Sequence, residues 1–193
     1  MEGQVSYSDF YVLRHGETEW NREGRMQGRL NSPLTARGEE HARTQHRILS
    51  KLDLTDHACF ASPLGRAVQT AGIALAGIAR LIRTDDRLME IGVGDWQGRL
   101  RSDLVEGDLI EGPDGDPALY ERAPNGEGFD GLEARCRSFL SDLDGPAVLV
   151  THGIASRMLR TIATGASRDA LLTMPGGQGN VFLVSQGRQT ELR

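Results

Sequence analysis

The chain has no apolar run approaching the roughly 20 residues that a membrane-spanning helix needs. Its first residues, MEGQVSYSDF, lack the basic and apolar regions of a secretory signal. A cytoplasmic protein with no membrane partner is therefore expected. Cysteine is nearly absent: Cys59 and Cys136 match no metal or redox spacing, which points to two buried thiols in a reducing compartment. Basic residues are not in excess. The formal net charge of −5 argues against a nucleic-acid partner but leaves room for a small anionic ligand, since two or three arginines make a local site. Repeats, low-complexity tracts and linkers are also lacking, so the 193 residues are expected to form a single domain, 1–193, with a sizeable core.

The usual signatures of a bound metal or cofactor are missing too. His41 and His46 lie five apart on a predicted helix and so point in different directions. His57 has no partner in sequence. The acidic run from Asp108 to Asp116 does not fit a calcium loop, and GVGDWQG has neither the spacing of a dinucleotide fingerprint nor the lysine of a P-loop. Neither a metal nor a cofactor is expected.

What is present alternates strand and helix. FYVLR (10–14) reads as a buried strand. A helix capped by Thr35 follows, with Ala42, Ile48, Leu49 and Leu52 at roughly helical spacing. HACFAS (57–62) is a second strand, leading into a helix opened by Pro63 with Leu64, Ala67, Val68, Ala71 and Leu75 on one side. LIRT (81–84) is a weaker strand. Residues 92–131 are rich in glycine, proline and acids, with short helical stretches such as LRSDLVEG. They read as a lid-like surface excursion of the kind that selects substrates. The helix GLEARCRSFLSDL, the strand PAVLVT (146–151), the helix GIASRMLRTIATG and a final strand NVFLVS complete the pattern. Such alternation implies an α/β fold, a mainly parallel sheet covered on both faces, with ligands bound at the carboxyl ends of its strands.

The strand ends carry one kind of chemistry. The first ends in Arg14-His15-Gly16, the second runs into Ser62-Pro63-Leu64-Gly65-Arg66, and PAVLVT ends in His152-Gly153. Arginine offers a planar fork of donors for phosphate oxygens. Histidine can be neutral and nucleophilic near pH 7, then accept charge. Gly16 lets the chain turn and leaves space for an incoming group. Arg66 near a helix start faces the positive end of the helix dipole, a position that suits a cation only with an anion beside it. Glu90, between apolar Leu88, Met89 and Ile91, is placed to be a neutral acid and proton donor. Together these residues imply phosphoryl transfer through a histidine.

Four motifs in order, RHGETEWN, SPLGRAVQT, LMEIGVGDWQG and VTHG, resemble the histidine phosphatase superfamily, also called phosphoglycerate mutase-like, from Tyr11 to about Val184. The resemblance implies a three-layer α/β/α sandwich and a phosphohistidine intermediate. It implies that His15 is the nucleophile and Glu90 the proton donor that later helps deprotonate water. It further implies that Arg14, Arg66 and His152 hold the phosphoryl oxygens. Asn21 would contact phosphate or position the nucleophile, and Gln27 and Gly28 would line the pocket entrance.

Within that family EIGVGDWQG and MQG resemble the phosphatase type, and the longer insertion and closing C-terminal tail of cofactor-dependent mutases have no obvious counterpart. The expectation is a metal-independent phosphomonoesterase acting on a small phosphorylated metabolite. The alternatives are a cofactor-dependent phosphoglycerate mutase and a non-catalytic binding protein on the same fold. Small sugar phosphates, nucleotide monophosphates and α-ribazole phosphate all fit as substrates, and Arg99, Arg101 and Arg122 are candidates for a second anionic group. A homodimer is compatible with the sequence, although no apolar stripe marks an interface.

Overall fold

The computed structural model describes residues 7–104 and 116–193. Its centre is a six-stranded sheet in the order β3-β2-β4-β1-β5-β6. Strands β1 (Phe10–Arg14), β2 (Ala58–Ala61), β3 (Ile82–Thr84) and β4 (Ala147–Thr151) are mutually parallel. Strands β5 (Val181–Ser185) and β6 (Arg188–Leu192) run antiparallel at one edge.

Side-chain alternation along the strands creates two cores. Phe10, Val12, Leu149 and Phe182 face one way, onto α5 (Gly128–Ser141) and α6 (Gly153–Thr164). Leu13, Val148, Val150 and Ala61 face the other way, onto α2 (Ala36–Leu49) and α3 (Gly65–Ala74). The expected three-layer α/β/α sandwich is thus formed, its sheet mostly parallel. No described helix is long and apolar enough to cross a membrane.

Most predicted elements fall where expected, with instructive departures. Thr35 caps α2 by accepting the Gly38 N–H at 3.0 Å. Leu52, expected on that helix, lies beyond its end at Leu49. Helix α3 begins at Gly65 rather than Pro63, because Ser62 Oγ accepts the Leu64 N–H in a tight turn before it. Val68, expected on its buried side, is 45% exposed; the buried face is Arg66, Ala67, Thr70, Ala71 and Ala74. Helix α5 starts three residues before the predicted Gly131. Strand β6 was not foreseen: its RQTEL sequence has no apolar alternation. The hairpin signal lies instead in Gln186-Gly187, both at positive φ as a two-residue β-turn requires.

Short helices α1 (Glu19–Arg22), α4 (Ala118–Glu121) and α7 (Ala170–Thr173) lie in the connections. Part of the predicted helical stretch LRSDLVEG and most of the acidic run Asp108–Asp116 lie outside the described residues. Residues 98–101 of the 92–131 excursion pack back on the loop after α1. Met26 N–H donates to Arg99 O, Gly98 N–H to Met26 O and Arg101 N–H to Gly24 O, at 2.8–2.9 Å.

Gly16 does not keep space open for a ligand. A Cβ there would sit 2.0 Å from the Gly38 carbonyl oxygen, and a Cβ on Gly38 would sit 1.9 Å from the Glu17 oxygen. These glycines let the loop after β1 press directly on the first turn of α2. Alanine normally favours a helix over glycine by about 1 kcal/mol, so Gly38→Ala provides a sharp test. It should destabilise the protein by about 2 kcal/mol or more through overpacking. Gly72→Ala, in α3 with nothing within 4 Å, should stabilise it by about 0.5–1 kcal/mol. Urea unfolding of both variants checks the opposite signs.

Candidate active site

The sheet register brings the chemistry together. Arg14 is level with Thr151, and Ala61 with Val150, so His15, Ser62 and His152 follow three adjacent parallel strands. Backbone bonds continue past the strand ends, His15 N–H to Thr151 O and Ser62 N–H to Val150 O, each 2.9 Å. The rings of His15 and His152 stand edge to face, 5.1 Å apart.

His15 Nδ1 lies 2.7 Å from the Gly16 carbonyl oxygen. A carbonyl can only accept, so Nδ1 carries the proton and Nε2 keeps its lone pair. The Arg66 Nε–H approaches that nitrogen at 3.2 Å. Burial, then the charges of Arg66 and Arg14, hold the His15 imidazole well below its usual range. It is neutral at pH 7, as a nucleophile must be.

His152 occupies the position before the first turn of α6. Its Nε2 lies 2.7 Å from Ser62 Oγ. With that hydroxyl donated to Nε2, Nδ1 carries the hydrogen, and it has no hydrogen-bond partner among the described residues. An N–H is thus free for an anionic oxygen. Burial, Arg66, His15 and Arg14 hold this imidazole well below its usual range too.

Arg66 escapes the poor electrostatics of a helix start by turning its guanidinium onto carbonyls. Nη1 donates to Leu30 O at 2.6 Å and Nη2 to Gly28 O at 2.8 Å. Burial pushes it down to about 10, so it remains charged at neutral pH. Arg14 is buried at the end of β1, its carbonyl oxygen bonded to Gln45 Nε2 at 2.8 Å.

Glu90 sits at the N-terminus of α6. Its Oε1 accepts the N–H groups of Ile91 and Ala155, both at 3.0 Å, and Oε2 accepts that of Ile154 at 3.2 Å. The apolar neighbours anchor the loop instead of enclosing the carboxyl: Leu88 and Ile91 are buried in the α5–α6 core. Three of about four lone-pair positions are occupied, so one position on Oε2 remains to hold or take a proton.

The other expected residues form a supporting layer. Asn21 Oδ1 accepts from Thr18 N–H and Oγ1–H, both at 3.1 Å, closing a capping box on α1. Gln178 Nε2 joins Asn21 Oδ1 at 3.3 Å to the His15 carbonyl oxygen at 3.2 Å. Gln27 is buried, donating to Thr18 Oγ1 at 2.8 Å, and Gly28 acts through the carbonyl that holds Arg66. Arg101 is buried with Tyr120 Oη 3.4 Å away, while Arg99 and Arg122 are exposed. His41, His46 and His57 stand apart, with Glu17 N–H, the Ala74 carbonyl and the Tyr11 ring respectively. Ser62, Gln178 and Thr70, which accepts the Gly16 N–H at 3.0 Å, were not singled out from sequence. Ser62 carried the same strand-end signal as the histidines.

An α/β sandwich with histidines and arginines gathered at the carboxyl ends of parallel strands defines a class of phosphoryl-handling enzymes. The profile of the histidine phosphatase superfamily (branch 1) matches residues 10–191, and the chain belongs to that superfamily. It is 36% identical over 156 residues to a protein of Enterobacter sp. (strain 638) named "Probable phosphoglycerate mutase GpmB", covering 75% of this chain and 69% of that one. Among solved structures it is similar to the alpha-ribazole phosphatase from Shigella flexneri, with 26% identity and a TM-score of 0.77 over 96% of this chain and 94% of that one. It is also similar to the mycobacterial glucosyl-3-phosphoglycerate phosphatase Rv2419c, with 26% identity and a TM-score of 0.78 over 96% and 97%.

The two most deeply buried histidines, His15 and His152, tie stability to pH. Below about pH 6.5 the unfolded chain binds protons at His15 and His152 that the native state refuses. Stability therefore falls as pH drops, by up to about 1.4 kcal/mol per pH unit for each group. His15→Asn should flatten the slope between about pH 6.5 and 5 by up to that amount, read by urea unfolding in phosphate-free buffer.

Proposed function

We propose that this protein is a metal-independent phosphomonoesterase acting on a small phosphorylated metabolite through a phosphohistidine on His15. The observation that carries this reading is the His15 ring, its Nδ1–H given to Gly16 O and its Nε2 lone pair set against Arg66. In the first step Nε2 attacks phosphorus and the ester P–O bond breaks. Glu90 gives its proton to the departing oxygen. Arg14, Arg66 and the His152 Nδ1–H take up the charge on the phosphoryl oxygens. In the second step a water attacks phosphorus, Glu90 accepts its proton, and the P–N bond breaks to release phosphate and neutral His15. Asn21, with Thr18 and Gln178, holds the loop that carries the nucleophile. Gln27 and Gly28 belong to the loop that grips Arg66 rather than to an open pocket mouth.

Hydrolysis is favoured over mutation of the ester position by the phosphatase-type EIGVGDWQG pattern and by the two similar phosphatase structures. The second reading, a phosphoglycerate mutase, is supported by the name of the 36% identical relative. Phosphorus NMR in EDTA, with 3-phosphoglycerate and a trace of 2,3-bisphosphoglycerate, separates them. Free phosphate without 2-phosphoglycerate is expected; growth of the 2-isomer without phosphate release would establish the mutase instead. A screen of phosphate monoesters should then find turnover that His15→Ala lowers by about 10³-fold or more. Label trapped on the wild-type protein should be acid-labile and base-stable, as a phosphoramidate is.

A further inference from the structure

Glu90 lies on a connection between β3 and the 92–131 excursion, and a catalytic carboxyl on a loop needs something to fix it. Leu88 and Ile91 anchor that connection from one side, and the Thr151 Oγ1–H bond to Leu88 O, 2.7 Å, adds another hold. A further hold is an ion pair. Arg135 Nε and Nη2 meet Glu127 Oε1 and Oε2 at 2.6 and 3.0 Å, a bidentate fork. Arg135 Nη1 donates to the carbonyl oxygens of Arg87 and Met89, both at 2.7 Å. Glu127 Oε2 accepts the Gly92 N–H at 3.0 Å, and Glu127 N–H donates to Gly92 O at 2.8 Å. The pair therefore grips the main chain on both sides of Glu90. Arg29 Nη2 reaches the same carboxylate at 3.5 Å from the loop whose carbonyls hold Arg66. Glu127 thus links the acid's loop to the loop of the phosphate clamp.

An exposed ion pair contributes little to stability. This one is largely buried, and its geometry is spent on loop carbonyls and an amide rather than on helix α5. We propose that Glu127 and Arg135 are positioning residues for Glu90: they fix the carboxyl at the leaving-group oxygen without touching substrate. This rests on the proton-donor role proposed for Glu90.

A donor matters most when the leaving group is poor, and a residue acting through the donor must share that selectivity. Phenyl phosphate and p-nitrophenyl phosphate differ little in shape but greatly in leaving-group basicity. In Arg135→Met, kcat on phenyl phosphate should fall by about 10²-fold, against about threefold or less on the nitrophenyl ester, with KM for both nearly unchanged. Glu90→Gln should show the same selectivity, and adding Arg135→Met to it should cost little more. Glu127→Gln, which can still accept the Gly92 N–H, should lose less than Glu127→Ala. Equal losses on both esters would overturn the proposal.

A second measurement does not depend on turnover. Amide hydrogen exchange at Ile91 and Gly92 should quicken by about tenfold or more in Arg135→Lys, while the β1 and β4 amides stay protected. Unchanged exchange at those amides would also overturn the proposal. A wild-type protein inert toward every phosphate ester would defeat the phosphohydrolase reading, and the exchange result would still decide whether the pair holds the Glu90 loop.

Discussion

The guanidinium of Arg66, packed between two carbonyls and an imidazole, is the interaction on which the rest of the site depends. Leu30 O and Gly28 O fix two of its donors and leave Nε–H aimed at His15 Nε2. Burial first, and then this cation and Arg14, make a protonated histidine too costly at either His15 or His152. The environment that would bind a dianion therefore also keeps His15 neutral. A phosphoryl group arriving at Nε2 would exchange the Arg66 bond to a neutral nitrogen for bonds between that cation and anionic oxygens, in which both partners are charged. The Gly28–Leu30 loop has to exist for this, and the packing of residues 98–101 against residues 24–26 holds it from behind.

The opposite wall is built on one helix. The sequence entering α6 offers no side-chain cap, and the orphan N–H groups of its first turn are met by the Glu90 carboxylate instead. The carboxyl oxygens satisfy those free donors and leave one position on Oε2 for the proton that the proposed acid gives. The same turn presents His152. One helix start thus fixes the distance between the residue proposed to give the proton and a residue proposed to bind the charge. Parallel strands β1, β2 and β4 then set this wall against His15 and Ser62, because Arg14 pairs with Thr151 and Ala61 with Val150 at their carboxyl ends.

What the sequence disclosed follows from this geometry. His15 and His152 were legible because each follows a short apolar run at a strand's carboxyl end, and Arg66 because it stands at a helix start, a poor place for a cation without an anion beside it. Three kinds of feature were not. Gly16 looked like space for a ligand, but its reason is contact with Gly38, a residue 22 positions away that no local pattern connects to it. Glu90's apolar neighbours suggested an enclosing hydrocarbon pocket, whereas Leu88 and Ile91 pack into the core and the carboxyl turns to the first amides of α6. Strand β6 escaped because an edge strand with polar residues on both faces lacks a period. Asn21 was expected at the site, and its carbonyl oxygen is engaged in the α1 cap, with Gln178 bonded between it and the His15 carbonyl oxygen.

The choice between hydrolysis and transfer turns on which molecule next reaches the phosphorylated nitrogen. Arg14 and Arg66 would stabilise the phosphoryl group equally well for either acceptor, so the buried cations cannot discriminate. Discrimination has to come from the loops above them. There, Glu127 connects Gly92, Arg135 and Arg29 and ties the segment it lies in to the loops of the proposed acid and of Arg66's carbonyl partners. A wall held from both sides keeps its shape when a leaving group departs, and it leaves the vacated volume to water. A mutase would need that wall to close over the product and turn it. The fixed loop is the structural argument for water as the acceptor, and it links the proposed activity to the ion pair.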